Sequence, residues 1–348
     1  MKQEKWLPQF DYLRILAAFS VVMIHASAIL WYQEDQHTSL WLTANAYNTL
    51  SRFGVPVFFM ISGALLLSPE RELTAKTLWQ RHILRLAIIY AVWSCVYGLN
   101  AYLRPFPDAF SVKDMIKSIL NGSYHLWFLP AIMALYALTP ILRKWLSACE
   151  KKDVEYFLGL FVLFQIVRTT LAAFLRTPEV LTRLDDLNYL NIVCTFAGYY
   201  ILGHYIQTYG LAAKWNKVLI LSLPLVCILN VVGSIFANWQ KATRADDFAN
   251  TFGLFTFLTS VALFQLFAKA FSQKANSKAQ PLIRGISADT LGIYLIHLLI
   301  LNLPFMYAIY DALPPILSIP IVAIATFALS LISSAVLRRI PVIGKFIC

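Results

Sequence analysis

The sequence predicts an all-α, polytopic integral membrane protein of about ten transmembrane helices, on three observations. Of its 348 residues, 59% are apolar, against roughly 45–50% in soluble domains. Charged residues make up 14%, where a soluble globular chain carries about 25%. The mean hydropathy is +0.64, and the apolar residues are gathered into long runs. Together these exclude a disordered chain, a nucleic-acid-binding domain and an ordinary cytosolic enzyme.

A bilayer-spanning helix needs ~20 mostly apolar residues. Ten runs approach that length: 11–31, 45–67, 82–103, 125–142, 154–175, 188–208, 217–237, 251–271, 288–308 and 316–338. The first follows Lys2 and Lys5 and contains Ala26-Ser27-Ala28, the outline of a secretory signal. Asp11, Arg14 and His25 interrupt it, and such groups are costly in a disposable apolar segment. It reads as a retained helix. The third run opens on His82 and Arg85, and the fourth on His125. Arg168 lies in the fifth, His204 in the sixth and His297 in the middle of the ninth. The linkers are charged or contain Gly or Pro, and none is long enough for a soluble domain. Residues 1–348 therefore read as one membrane domain.

Lys and Arg number 29 and Asp and Glu 18, for a net charge of +11. With the N-terminus in the cytoplasm, eighteen Lys and Arg fall in inner loops and seven in outer ones. Arg14, Arg52, Arg85 and Arg168 fall within spans or at their ends. Cytoplasmic loops of membrane proteins collect Lys and Arg, so this split predicts both termini cytoplasmic and an even number of spans. The same bias accounts for the basic balance without a nucleic-acid partner, for which no motif is present. The five cysteines (Cys95, Cys149, Cys194, Cys227 and Cys348) show no CxxC and no zinc spacing. They read as packing residues, and no metal is expected. No convincing internal repeat appears, which weighs against a secondary transporter.

An ionisable residue at membrane depth is by default a candidate functional residue. At ~100° per residue, the eleven steps from Arg14 to His25 return the side chain to within ~20° of the same face. Asp11, three residues before Arg14, carries the opposite charge on a neighbouring position. This stripe must face protein or water rather than lipid. Eleven residues rise ~16.5 Å, which sets a cation at one mouth and an imidazole deep in the bundle. That separation suits an elongated ligand with an anionic head and a reactive tail, as in an acyl-coenzyme A. Histidine is the usual general base near neutral pH and fits deprotonation of a hydroxyl attacking the thioester. The blander alternative is a helix-end ion pair beside a hydrogen-bonded histidine. Arg168 reads equally as a snorkelling residue or as a contact to the acceptor.

Five blocks carry a family resemblance. Gln9-Phe10-Asp11-Tyr12-Leu13-Arg14, running on to Met23-Ile24-His25-Ala26, opens the chain. Ser51-Arg52-Phe53-Gly54-Val55-Pro56-Val57-Phe58-Phe59-Met60-Ile61-Ser62-Gly63 follows, then Arg81-His82-Ile83-Leu84-Arg85. His125-Leu126-Trp127-Phe128-Leu129 and Leu291-Gly292-Ile293-Tyr294-Leu295-Ile296-His297 complete the series. In order, these resemble the membrane acyltransferase-3 family, and most of all its short members that O-acetylate surface polysaccharides such as enterobacterial common antigen. The resemblance implies ten helices in the bacterial inner (cytoplasmic) membrane and transfer of an acyl group, usually acetyl, from cytoplasmic acetyl-CoA to a hydroxyl of an envelope glycan. It carries the family's first-helix arginine and histidine onto Arg14 and His25, and its third-helix arginine onto Arg85. Two departures stand out. The strict Arg-x-x-Arg spacing would put its first arginine at 82, where this chain has histidine, with Arg81 one residue away. The glutamate that many larger members carry after the fourth-helix tryptophan is absent, for Pro130-Ala131-Ile132-Met133 follows Trp127 and Phe128. His297 and His125 are the candidates to share a proton with His25.

The expected enzyme is thus an acetyl-CoA-dependent O-acyltransferase. His25 serves as base with His297 and His125 beside it. Arg14, Arg85, Arg81 and Arg284 hold the donor's phosphates, Asp11 orients Arg14, and Arg168 and Trp127 meet the acceptor glycan. Arginine suits phosphate because its planar fork donates two parallel hydrogen bonds. The competing expectation is a transporter or flippase for a lipid-linked saccharide.

Overall fold

A computed structural model describes residues 7–71, 73–103, 111–174, 195–239, 250–271, 278–341 and 344. Lys2, Lys5, Cys194, Cys348 and the first residues of the expected 188–208 span lie outside them. The described chain is all-helical. Eight of its helices are long and apolar enough to cross a membrane, and a bent pair makes a ninth.

The long first helix, α1 (Pro8–Gln33), opens with proline at its start, where the missing N–H costs no hydrogen bond. Next come α2 (Ser39–Ser51), whose first turn is capped by the Thr38 hydroxyl accepting from Trp41 N–H at 3.1 Å, and α3 (Gly54–Leu66). These two form one span over Ser39–Leu66. It is longer than the 45–67 expected, and it is interrupted at Arg52 and Phe53. α4 (Ala75–Leu103) also starts earlier than the expected 82, because Thr74 caps it; the stretch around His82 is a π-helical turn, Leu78–Ile83. A short amphipathic helix, α5 (Val112–Asn121), leads to α6 (Tyr124–Ala148), which begins as a 3-10 turn holding His125. α7 (Lys151–Ala173), α8 (Phe196–Tyr209), α9 (Ala213–Trp239) and α10 (Leu254–Phe271) follow.

The ninth span departs most from expectation. In place of one helix over 288–308 there are α11 (Gln280–Ala288) and α12 (Thr290–Leu301), bent by 58°, and then a separate α13 (Pro304–Ala312). Pro304 has no N–H to continue α12, so it starts a new helix instead. α14 (Pro315–Arg339) closes the described bundle.

α1 packs against α2, α3, α10, α11, α12 and α14, so it stands at the centre of the bundle. α8 is the other central element, for every residue from Gly198 to Ile206 is buried. A helix buried all round needs no amphipathic face. Its closest partner is α3. A Cβ on Gly63 would overlap the Tyr200 carbonyl oxygen, and one on Gly203 would overlap that of Met60. Reciprocal glycines thus let two backbones touch, as small residues do in membrane helix pairs.

Asp289 sits at the bend between α11 and α12 and is 2% exposed. It accepts from Ser334 Oγ at 2.9 Å and pairs with Arg338 Nη2 at 3.1 Å. Removing one partner of a buried polar set leaves the others unsatisfied, at about 1–3 kcal/mol. Asp289→Ala is therefore expected to lower the thermal midpoint of the detergent-solubilised protein, and an unchanged midpoint would show that the bend does not depend on this tether.

Candidate active site

One face of α1 lines a cavity of 740 Å³. Arg14, Val21, Ile24, His25, Ala28, Trp31 and Tyr32 all border it, which is the helical spacing of a single stripe. The opposite walls come from Asn48 and Arg52 on the α2 side, Val55, Phe58 and Ser62 on α3, Tyr124, His125, Trp127 and Tyr136 on α6, and Thr290 and Tyr294 on α12. Arg14 and His25 therefore share one cavity, and the first helix does not turn this face to lipid.

At the Pro8 end, Arg14 Nη1 lies 3.6 Å from Asp11 Oδ1. The same carboxylate oxygen accepts from Ser287 Oγ at 2.6 Å. Asp11 thus ties the guanidinium to α11, just before the Asp289 bend. Toward the far end of the stripe three histidines meet. The His25 and His297 rings are 5.0 Å apart, His125 and His297 5.4 Å, and His25 and His125 6.4 Å, centroid to centroid.

Each ring is oriented by one nitrogen. His25 Nδ1 is 3.1 Å from the Tyr124 hydroxyl, and His125 Nδ1 is 2.8 Å from Ser123 Oγ. His297 Nδ1 is 2.6 Å from the Tyr294 carbonyl oxygen. A carbonyl only accepts, so His297 Nδ1 carries the proton and its Nε2 holds a lone pair in the neutral ring. The Nε2 atoms of His297 and His125 are buried with no hydrogen-bond partner among the described residues. His25 and His125 border the cavity, while His297, wholly buried, backs them from α12. Among the described residues no group of three His, Cys, Asp or Glu is arranged to hold a metal ion.

Trp127 borders the cavity and stacks on Phe196 at 5.3 Å. Arg81, Arg85 and Arg284 are exposed and are not among the lining residues. Arg168 is also outside the lining; its Nε donates to the Phe164 carbonyl at 3.2 Å, within its own helix. Arg52, Asn48, Tyr124 and Tyr136 line the cavity, and sequence reasoning gave none of them a role. The signal for the first two was their spacing: Asn48 and Arg52, four apart near the end of α2, are hydrogen-bonded at 2.8 Å.

A family model described as an acyltransferase domain matches residues 7–335. The chain belongs to the membrane acyltransferase-3 family. A curated protein of Enterococcus faecalis named an amino-acid racemase is 32% identical over 159 residues, a stretch covering 43% of this chain and 21% of that protein. The chain thus spans about a fifth of the length of the curated relative it matches. No solved structure matches it.

Proposed function

We propose that this protein transfers an acyl group, acetyl in the first instance, from cytoplasmic acyl-CoA to a hydroxyl of a cell-envelope glycan. The observation that carries this reading is the shared cavity, with a carboxylate-oriented arginine at one end and a histidine cluster at the other. In the tautomer that donates Nδ1–H to the Tyr124 hydroxyl, His25 Nε2 is the base. It takes the acceptor's proton as the oxygen attacks the thioester carbonyl. His297 and His125 pack the ring in place and offer bare nitrogens to share that proton. Arg14 meets the donor's phosphates, and Trp127 gives the sugar an aromatic face.

On this reading both termini lie in the cytoplasm and the membrane is the bacterial inner membrane, as the loop charges favour. Arg85, Arg81 and Arg284, exposed on the bundle's surface, extend the donor site only if the phosphates reach beyond the cavity. Arg168 and the acceptor glycan remain joined in this proposal through the outer part of α7.

The test is mass spectrometry of envelope glycans from cells with and without the gene, backed by incorporation of radiolabelled acetyl. Label on a glycan supports transfer. Glycan that is moved but unmodified would make the protein a transporter or flippase for a lipid-linked saccharide. Within the reading, Arg14→Gln is expected to raise the KM for acetyl-CoA about tenfold or more, the cost of one charged hydrogen-bonding partner. An unchanged KM would remove Arg14 from the donor site.

A further inference from the structure

Arg52 stands at the interruption between α2 and α3, inside the cavity wall. Its Nε donates to Asn48 Oδ1 at 2.8 Å. Asn48 is fixed in turn to α1, since its Nδ2 donates to the Ile24 carbonyl at 3.0 Å and to Ser27 Oγ at 3.1 Å. The guanidinium is therefore held two hydrogen bonds away from the residue next to His25.

The register of α1 against this segment gives its depth. Asn48 lies beside Ile24 and Ser27, while a Cβ on Gly54 would collide with Ser20 Oγ and sit against the Ala17 carbonyl. Along the chain Arg52 falls between those two levels, and Val21, between Ser20 and Ile24 on α1, lines the same cavity. Val21 is one turn, ~6 Å, from His25 on the side toward Arg14. The backbone positions that line the wall thus run in the order Arg14, Arg52, His25, and the Arg52 side chain is held toward the His25 end by Asn48. A donor anchored at Arg14 with its thioester at His25 brings the carbonyl past Arg52.

We propose that Arg52 is a further catalytic residue: its guanidinium donates to the thioester carbonyl oxygen and holds the negative charge that forms there. This rests on the acyl-CoA reading above. The acceptor oxygen bonds to the carbonyl carbon while its proton passes to His25, and the carbonyl electron pair moves onto the oxygen facing Arg52. That pair then returns, the carbon–sulfur bond breaks, and the leaving thiolate takes the proton from His25. The products are a free thiol and an O-acyl ester, with no net change at Arg52. Asn48 acts as a positioning residue by fixing the direction of the guanidinium fork.

The test compares purified wild type, Arg52→Gln, Arg52→Lys and Arg52→Ala with acetyl-CoA and isolated envelope glycan. Removing one donor to a developing oxyanion costs about 10²–10³ in turnover. Arg52→Gln is therefore expected to lose that factor in kcat with the KM for acetyl-CoA held within about threefold, since the donor's affinity is set at Arg14. Added guanidinium is expected to restore part of the Arg52→Ala activity, which a merely structural loss would not allow. If the uncharged variants fail to fold, Arg52→Lys carries the test. It keeps the charge but loses the fork oriented by Asn48, and is expected to fall at least tenfold in kcat. Wild-type kcat in Arg52→Gln or Arg52→Lys, or a loss confined to KM, overturns the proposal. A wild type that acylates no glycan instead overturns the underlying reading.

Discussion

His25→Ala is expected to abolish measurable acyl transfer while the protein still inserts and purifies as the wild type does. A positioned general base contributes about 10²–10⁴ in rate, and no other described side chain stands where His25 does on the α1 stripe. The folding cost is small because the ring borders open space, with Tyr124 as its hydrogen-bond partner. The measurement is glycan acylation at saturating acetyl-CoA, with gel-filtration behaviour in detergent as the control. A variant that still turns over near the wild-type rate would exclude His25 as the base and shift attention to His125, which borders the same space.

The largest expected effect on assembly lies at the contact of α3 with α8. Gly63→Leu or Gly203→Leu places side-chain carbon where a backbone carbonyl of the facing helix already lies. No rotamer change relieves a clash with backbone, so the cost reaches the upper end of overpacking, ~3 kcal/mol or above. Either variant is expected to collapse the yield of monodisperse protein. Gly159→Ala in α7 is the control, since a Cβ there meets nothing within 4 Å. It is expected to be neutral or to stabilise by about 0.4–1 kcal/mol. Equal yields from all three would show that α3 and α8 do not need their backbones in contact.

The all-helical class and most spans were legible because apolar runs of membrane length leave few other solutions. The α1 stripe was legible for the same kind of reason. Periodicity alone puts Arg14 and His25 on one side, and their charge forbids a lipid-facing side. Interruptions were harder to read. Arg52 and Phe53 break a span without proline at the break, and Asp289 at the second bend is bonded to Ser334 and Arg338, more than 40 residues on. Tertiary partners set such places, and a window of local hydropathy cannot see them. The histidine cluster was half legible. His25, His125 and His297 were each singled out, yet only the packing of α1, α6 and α12 brings their rings within 6.4 Å of one another. Arg81, Arg85 and Arg284 were grouped with Arg14 by charge and resemblance, whereas the folded chain leaves them exposed outside the lining.

The π turn at Leu78–Ile83 changes how distance along the chain should be measured there. Leu84 N–H reaches back to the Trp79 carbonyl, five residues away, so this turn holds one more residue than an α-helical one. Arg81 lies inside this wide turn and Arg85 just beyond it, so the winding between the two is not that of a regular α-helix. Deleting a single residue from this stretch would restore a regular winding with the segments on either side kept near their present phase, so the wider coil takes up one residue without turning the membrane helix that follows.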